Sequence, residues 1–330
     1  MKKMETVAVL GAGAWGTALA VAIARAGKKP VLWARNAAVV DDIQKNRRNE
    51  KYLPGQELPP MPASCDLSIA KDTDAILIAV PAQQIRAVCG VVRPHVAKSI
   101  PILIAAKGIE TGTDLLVTDI AGEFFPDHPL AVLSGPNFAD EVAKGLPTAT
   151  TIACADEAIG KSLLDVFGSQ TLRPYWTADV IGTCIGGSLK NVIAIAAGVV
   201  AGKDLGDNAR AALVTRGLAE IGRLAAHMGA NPQTLMGLSG MGDLMLTCYG
   251  EKSRNFRYGF LMGKGASPTE AKQKISATIE GIETARAVCE LAQKKSLELP
   301  ISMAVNALIS GKISVQDAMN GLLNRPLKQE

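Results

Sequence analysis

The sequence predicts an α/β plus all-α protein: a doubly wound, largely parallel sheet over residues 1–182 and a helical C-terminal domain over residues 183–330. Three observations predict it. Short, β-branched apolar runs alternate with amphipathic stretches through the first half, strand-like runs stop after residue 177, and apolar residues then recur at helical spacing. With 330 residues and 48% hydrophobic side chains, the chain exceeds what one compact core accommodates.

The segments VAVL (7–10), PVLW (30–33), AILIAV (75–80), IPILIA (100–105), LAVLS (130–134) and TATTIA (148–153) read as strands apolar on both faces. Such strands belong to a parallel sheet covered by helices. RPYWT (173–177) reads as a last strand, and a boundary falls near 178–186. Beyond it, residues 188–202 are apolar on every side, as expected of a helix central to a helical domain. Asn208 to Met228 carries apolar residues at helical spacing with Gly229 as a stop, and further helices follow Ser253, Ser267-Pro268, Glu280 and Pro300.

Charge and composition exclude several function classes. The net charge of +4 is far from a polybasic balance, so no nucleic-acid partner is expected. It is unevenly placed: residues 1–182 carry 18 basic against 19 acidic side chains, and 183–330 carry 17 against 12. Cys65, Cys89, Cys154, Cys184, Cys248 and Cys289 form no C-x-x-C pair and read as reduced, mostly buried thiols. His95, His128 and His227 are isolated from one another and from cysteine, which gives a metal site or a Ser-His-Asp triad little to build on. Thr6 to Ala24 lacks charge and superficially resembles a leader or span, but Gly11, Gly13 and Gly16 interrupt it and Glu5 precedes it. A cytoplasmic protein without an integral membrane segment is expected.

GAGAWG at 11–16 follows the first strand and opens the first helix, the context in which G-x-G-x-x-G places a diphosphate on helix N-terminal N–H groups. The fold is therefore read as Rossmann-like. Gly11 serves the tight turn, Gly13 the approach of the diphosphate and Gly16 the helix–strand packing, with Ala14 and Trp15 lining the same loop. The competing reading is a glycine-rich turn without a ligand. At the end of the second strand an NAD-selective site commonly carries Asp or Glu; Arg35 stands there instead. A guanidinium pairs with a 2′-phosphate, which favours NADP(H) and leaves NAD(H) open; the competing reading is a solvated surface arginine.

AAKGIE (105–110), SGPNFADEVAKGLPTA (134–149), LKNVIAIAAG (189–198), GLSGMGDLMLTC (237–248) and SRNFRYG (253–259) follow GAGAWGTALA (11–20) in order. Together they resemble the bacterial type of NAD(P)-dependent glycerol-3-phosphate dehydrogenase, over residues 7 to about 285. The resemblance implies reversible reduction of dihydroxyacetone phosphate to sn-glycerol 3-phosphate, a precursor of phospholipids. Asn137 departs from the Ser usual after Gly-Pro, and Gly187-Ser188 stands where the family often has Ala.

Lys190 lies among Val192, Ile193 and Ile195, where an ammonium must find a partner or give up its proton readily. That suits protonation of the alkoxide formed when hydride adds to a ketone, and the resemblance likewise makes Lys190 proton donor and acceptor. The competing reading is a lysine that snorkels to the surface. Lys107 follows a strand at the carboxyl edge of the sheet, within reach of cofactor and substrate, or is an exposed strand-end charge. Asp243, in a Gly-Met-Gly-Asp turn, with Thr247 one helical turn on, orients Lys190 or simply caps a helix. The resemblance places both in the catalytic set, with Asn191 beside Lys190.

Ser253 is a good N-cap, and Arg254 in the first turn opposes the helix dipole unless an anion is present. Ser253, Arg254 and Asn255 thus read as a seat for a substrate phosphate, or as an ordinary capped helix with a solvated arginine. The resemblance alone adds Gly135 and Asn137 as substrate contacts, and Ala139, Arg254 and Glu280 as cofactor contacts. The expected partner is a small phosphorylated substrate and the expected assembly a homodimer. Two other functions compete: a related Rossmann dehydrogenase of the 3-hydroxy acid or 6-phosphogluconate type, and a non-catalytic dinucleotide-responsive binding protein.

Overall fold

The computed structural model describes residues 3–275, 277–324 and 326. Eight strands form one sheet: β1 (Thr6–Leu10), β2 (Lys29–Trp33), β3 (Ala63–Ser64), β4 (Ala75–Ile78), β5 (Ile102–Ile104), β6 (Leu130–Ser134), β7 (Thr148–Cys154) and β8 (Leu172–Thr177). Their order is β3-β2-β1-β4-β5-β6-β7-β8. Helices α1 (Ala14–Arg25), α2 (Ala37–Asp41), α3 (Ile85–Val92), α4 (Val117–Phe124), α5 (Ala139–Lys144) and α6 (Glu157–Phe167) connect them.

Ala75 to Ile78, Ile102 to Ile104 and Ala131 to Ser134 are all at most 2% exposed, as strands sandwiched between helices must be. The chain leaves β1 for β2 on one side and later enters β4 on the other, so a topological switch point lies at the carboxyl ends of β1 and β4. One pairing departs from the parallel pattern: β7 runs antiparallel to β6, and β8 follows β7 in parallel. An apolar run buried on both faces reads the same in either direction, so periodicity could not reveal this reversal. The two-residue β3 was too short to give a pattern.

The chain divides into two compact units, one holding the residues up to Lys107 with Leu115–Cys184, the other Gly108–Asp114 with the chain from Ile185 onward. The division is thus not a single cut. Within the second unit, the buried Asp114 carboxylate pairs with Lys294, and Thr113 donates to Glu110 Oε2 at 2.6 Å. The first of these ties a heptapeptide of the first half to the rest of the helical unit, and the second is internal to the heptapeptide.

The remaining helices are α7 (Val180–Gly202), α8 (Gly206–His227), α9 (Pro232–Leu235), α10 (Asp243–Tyr249), α11 (Arg254–Gly263), α12 (Pro268–Gln273), α13 (Glu280–Lys294), α14 (Pro300–Ile309) and α15 (Val315–Leu323). Ser253, Ser267 and Ser314 cap α11, α12 and α15 through their hydroxyls. α7 is long and apolar enough to cross a membrane by length and composition, yet 94% of its most apolar window is buried inside the protein. Its close packing on α11 comes from glycines on both helices. A Cβ on Gly198 would collide with the Phe256 carbonyl, and one on Gly259 with the Ile195 carbonyl. With only hydrogen there, the two backbones meet, and side chains one and two turns away are brought within hydrogen-bonding reach.

Candidate active site

In the first unit, the glycine loop sits at the switch point. The Gly11 N–H donates to Trp33 O at 3.0 Å, and α1 begins at Ala14 behind an extended Gly13 that supplies no side-chain cap. The first N–H groups of α1 therefore face outward without intrahelical partners, and no acidic residue lies in that turn. Gly11 has φ +118°, and a Cβ there would stand 2.8 Å from Ala79 O. A Cβ on Gly16 would strike the Gly11 carbonyl, whereas one on Gly13 would meet nothing within 4 Å. The Trp15 Nε1 donor is buried without a hydrogen-bond partner. An open cradle, uncapped N–H groups and an orphaned donor fit a dinucleotide diphosphate.

Arg35 is exposed directly after β2, and the following Asn36 caps α2 by accepting from the Ala38 N–H at 2.9 Å. Past β5, Lys107 Nζ donates to Gly135 O at 3.3 Å, and the Asn137 N–H reaches the same carbonyl at 2.9 Å. Three residues expected at the site are thus joined in one cluster, with Ala139 opening α5 just behind it. The Asn137 amide group donates to Thr148 Oγ1 at 2.7 Å and to Ala149 O at 2.9 Å, which commits it to β7, while its Oδ1 is buried without a partner.

In the second unit, α7 carries Lys190, 7% exposed, and α10 carries Asp243 and Thr247, 1% and 5% exposed. Lys190 Nζ pairs with Asp243 Oδ1 and donates to Thr247 Oγ1 at 3.0 Å. The Thr247 hydroxyl gives its one hydrogen to the Asp243 carbonyl, so its lone pair faces the ammonium. Asp243 does not act as a helix cap, because Gly242 occupies that position and the carboxylate turns to Lys190. A π-turn, Leu238–Gly242, delivers it there. Lys190 does not snorkel outward, and a buried ammonium held by a carboxylate and a hydroxyl has a fixed direction for proton transfer.

Beside Lys190, Asn191 Oδ1 accepts from Asn255 Nδ2 at 2.9 Å, and Asn255 Oδ1 accepts from the Gly281 N–H at 3.0 Å. This chain joins α7, α11 and the start of α13, where Glu280 sits. Ser253 Oγ accepts from the Phe256 N–H at 3.2 Å, and Arg254 is exposed at the first helical position. Burial pushes the Cys89, Cys184 and Cys248 thiols up to about 12 and Cys289 to about 11, which disfavours their thiolates. Cys65 is exposed and the other five are buried, and all six are thiols outside any disulfide.

The family model for the N-terminus of NAD-dependent glycerol-3-phosphate dehydrogenase matches residues 6–160, and that for the C-terminus matches residues 179–320. The chain belongs to this family. A relative named glycerol-3-phosphate dehydrogenase [NAD(P)+] from Parvibaculum lavamentivorans is 47% identical over 98% of both chains. One from Caulobacter vibrioides is 46% identical over 99% of both. The crystal structure of a glycerol-3-phosphate dehydrogenase from Coxiella burnetii superposes with TM-score 0.94 at 39% identity, covering 98% of this chain and 100% of that one. A ketopantoate reductase from Ralstonia eutropha, at 16% identity and TM-score 0.61, shares the fold alone.

The hydrogen-bonded cluster that joins α7, α11 and α13 holds contributors that motif reading passed over. Gly281 is one: a Cβ there would press within 2.9 Å of Asn255 Oδ1, the Asn191 carbonyl and Ile195 Cδ1. Its only sequence signal was a glycine one residue inside a helix start, where glycine is usually unfavourable.

Proposed function

We propose that this chain catalyses the reversible NAD(P)H-dependent reduction of dihydroxyacetone phosphate to sn-glycerol 3-phosphate. The observation that carries this reading is the buried Lys190–Asp243–Thr247 assembly on a helical unit, in a chain that also holds a dinucleotide cradle. When bound, the nicotinamide supplies the hydride. Lys190 gives a proton to the oxygen that becomes the C2 hydroxyl, and takes it back in the oxidative direction. Asp243 and Thr247 orient Nζ, while Lys107 adds a positive charge toward the carbonyl oxygen.

Arg254, supported by the second amide hydrogen of Asn255, the Ser253-capped turn and Asn191, receives the substrate phosphate. Gly135 and Asn137 line the substrate side of their loop, and Ala139 and Glu280 contact the cofactor, as does Arg254. Gly11, Gly13, Ala14, Trp15 and Gly16 hold the diphosphate. Arg35, exposed and without an acidic residue in its place, supports a preference for NADPH. We assign residues 1–182 to cofactor binding and 183–330 to substrate binding and catalysis, in a cytoplasmic homodimer.

Purified protein is expected to oxidise NADPH only when dihydroxyacetone phosphate is added, with a higher kcat/KM for NADPH than for NADH. Faster turnover of 3-hydroxy acid, 6-phosphogluconate or ketopantoate-type substrates in the same assay would overturn the assignment. Equal efficiency with NADH would overturn the role of Arg35.

A further inference from the structure

The stretch after α2 carries no motif, yet it supplies a side chain to the centre of the glycine loop. Asn49 is 1% exposed, and its Nδ2 donates to Ala12 O at 2.9 Å and to Thr17 Oγ1 at 2.8 Å. Its own backbone is pinned: the Tyr52 and Leu53 N–H groups donate to Asn49 O at 3.2 and 2.8 Å, and Leu58 N–H donates to Arg47 O at 2.8 Å. Ala12 is 5% exposed and Thr17 fully buried, so both acceptors depend on a protein donor.

A trans peptide is planar, with its carbonyl and the following N–H pointing opposite ways. By holding the Ala12 carbonyl, Asn49 therefore fixes the direction of the Gly13 N–H, at the residue that opens onto free space. A flipped peptide would offer the diphosphate an oxygen in place of a donor. The second bond, to Thr17 in the first turn of α1, ties loop and helix start together. An asparagine amide has two hydrogens for two acceptors; Asp has none, and Ser has one.

We propose that Asn49 is a positioning residue for the cofactor, setting the glycine loop so that Gly13 donates to the dinucleotide diphosphate. The proposal rests on the dinucleotide reading of the loop; failure of the unmodified protein to bind NADPH would sink that reading, whereas failure in the variants alone addresses Asn49. The test is the NADPH dissociation constant of Asn49→Ala and Asn49→Ser, by titration of protein fluorescence without substrate, with kcat measured at saturating NADPH. Asn49→Ala is expected to weaken NADPH binding about tenfold or more, and Asn49→Ser less, with the loss in affinity several times any loss in kcat. Affinity within twofold of the unmodified protein, a loss confined to kcat, or failure of both variants to fold would each overturn it.

Discussion

Lys190 shows how one burial decides a chemistry. An ammonium 7% exposed within an apolar helix is tolerated because Asp243 and Thr247 meet it. Thr247 acts through its lone pair, its hydrogen being committed to the Asp243 carbonyl. Thr247→Val is therefore expected to lower kcat about tenfold while Thr247→Ser retains most of it, since only the first removes the acceptor. Equal kcat in the two variants would contradict this. Arg254→Ala is expected to raise KM for dihydroxyacetone phosphate about tenfold or more, the scale of a charged hydrogen bond, with KM for NADPH rising less. An unchanged substrate KM would remove Arg254 from the phosphate seat. The types of these residues were legible in the sequence because each was chemically out of place: a lysine in an apolar helix, an arginine at a helix start. Their pairings were not, since Lys190 and Asp243 lie 53 residues apart, and Asn191 and Asn255 lie 64 apart.

At the scale of elements, strands and caps were readable from local pattern, whereas direction and close approach were decided elsewhere. The reversal of β7 and the contact of α7 with α11 through Gly198 and Gly259 depend on which segments meet. α14 shows the same dependence. Its Pro300 start was visible, but its cap is Glu220 on α8, whose carboxylate accepts from the Ile301 N–H and, at 3.1 Å, from the Ser302 N–H. Burial raises this carboxyl above its ordinary 4.5, against the lowering effect of those bonds. The native state thus holds the proton more tightly than the unfolded chain. That contribution to stability is fully present below pH 4.5 and is lost as pH rises through the raised value. Glu220→Gln, which does not titrate, is expected to flatten this part of the pH dependence of the urea midpoint. A variant that keeps the full slope would show that other groups produce it.

For the whole molecule, the charge asymmetry acquires a meaning. The near-neutral first 182 residues hold Arg35 and Lys107, and the more basic remainder holds Lys190 and Arg254, the four cations that the proposed function assigns to two anionic ligands. The change from an α/β to a helical pattern was legible because the periodicities differ; the grouping of Gly108–Asp114 with the helical unit was not, since it involves distant contacts such as Asp114 with Lys294, 180 residues apart. In the proposed reaction the proton moves through Lys190. The most direct test is Lys190→Ala, assayed for NADPH oxidation at saturating dihydroxyacetone phosphate alongside NADPH affinity by fluorescence titration. A loss of kcat on the order of 100-fold or more, with NADPH affinity retained, is the predicted result; undiminished turnover would contradict it.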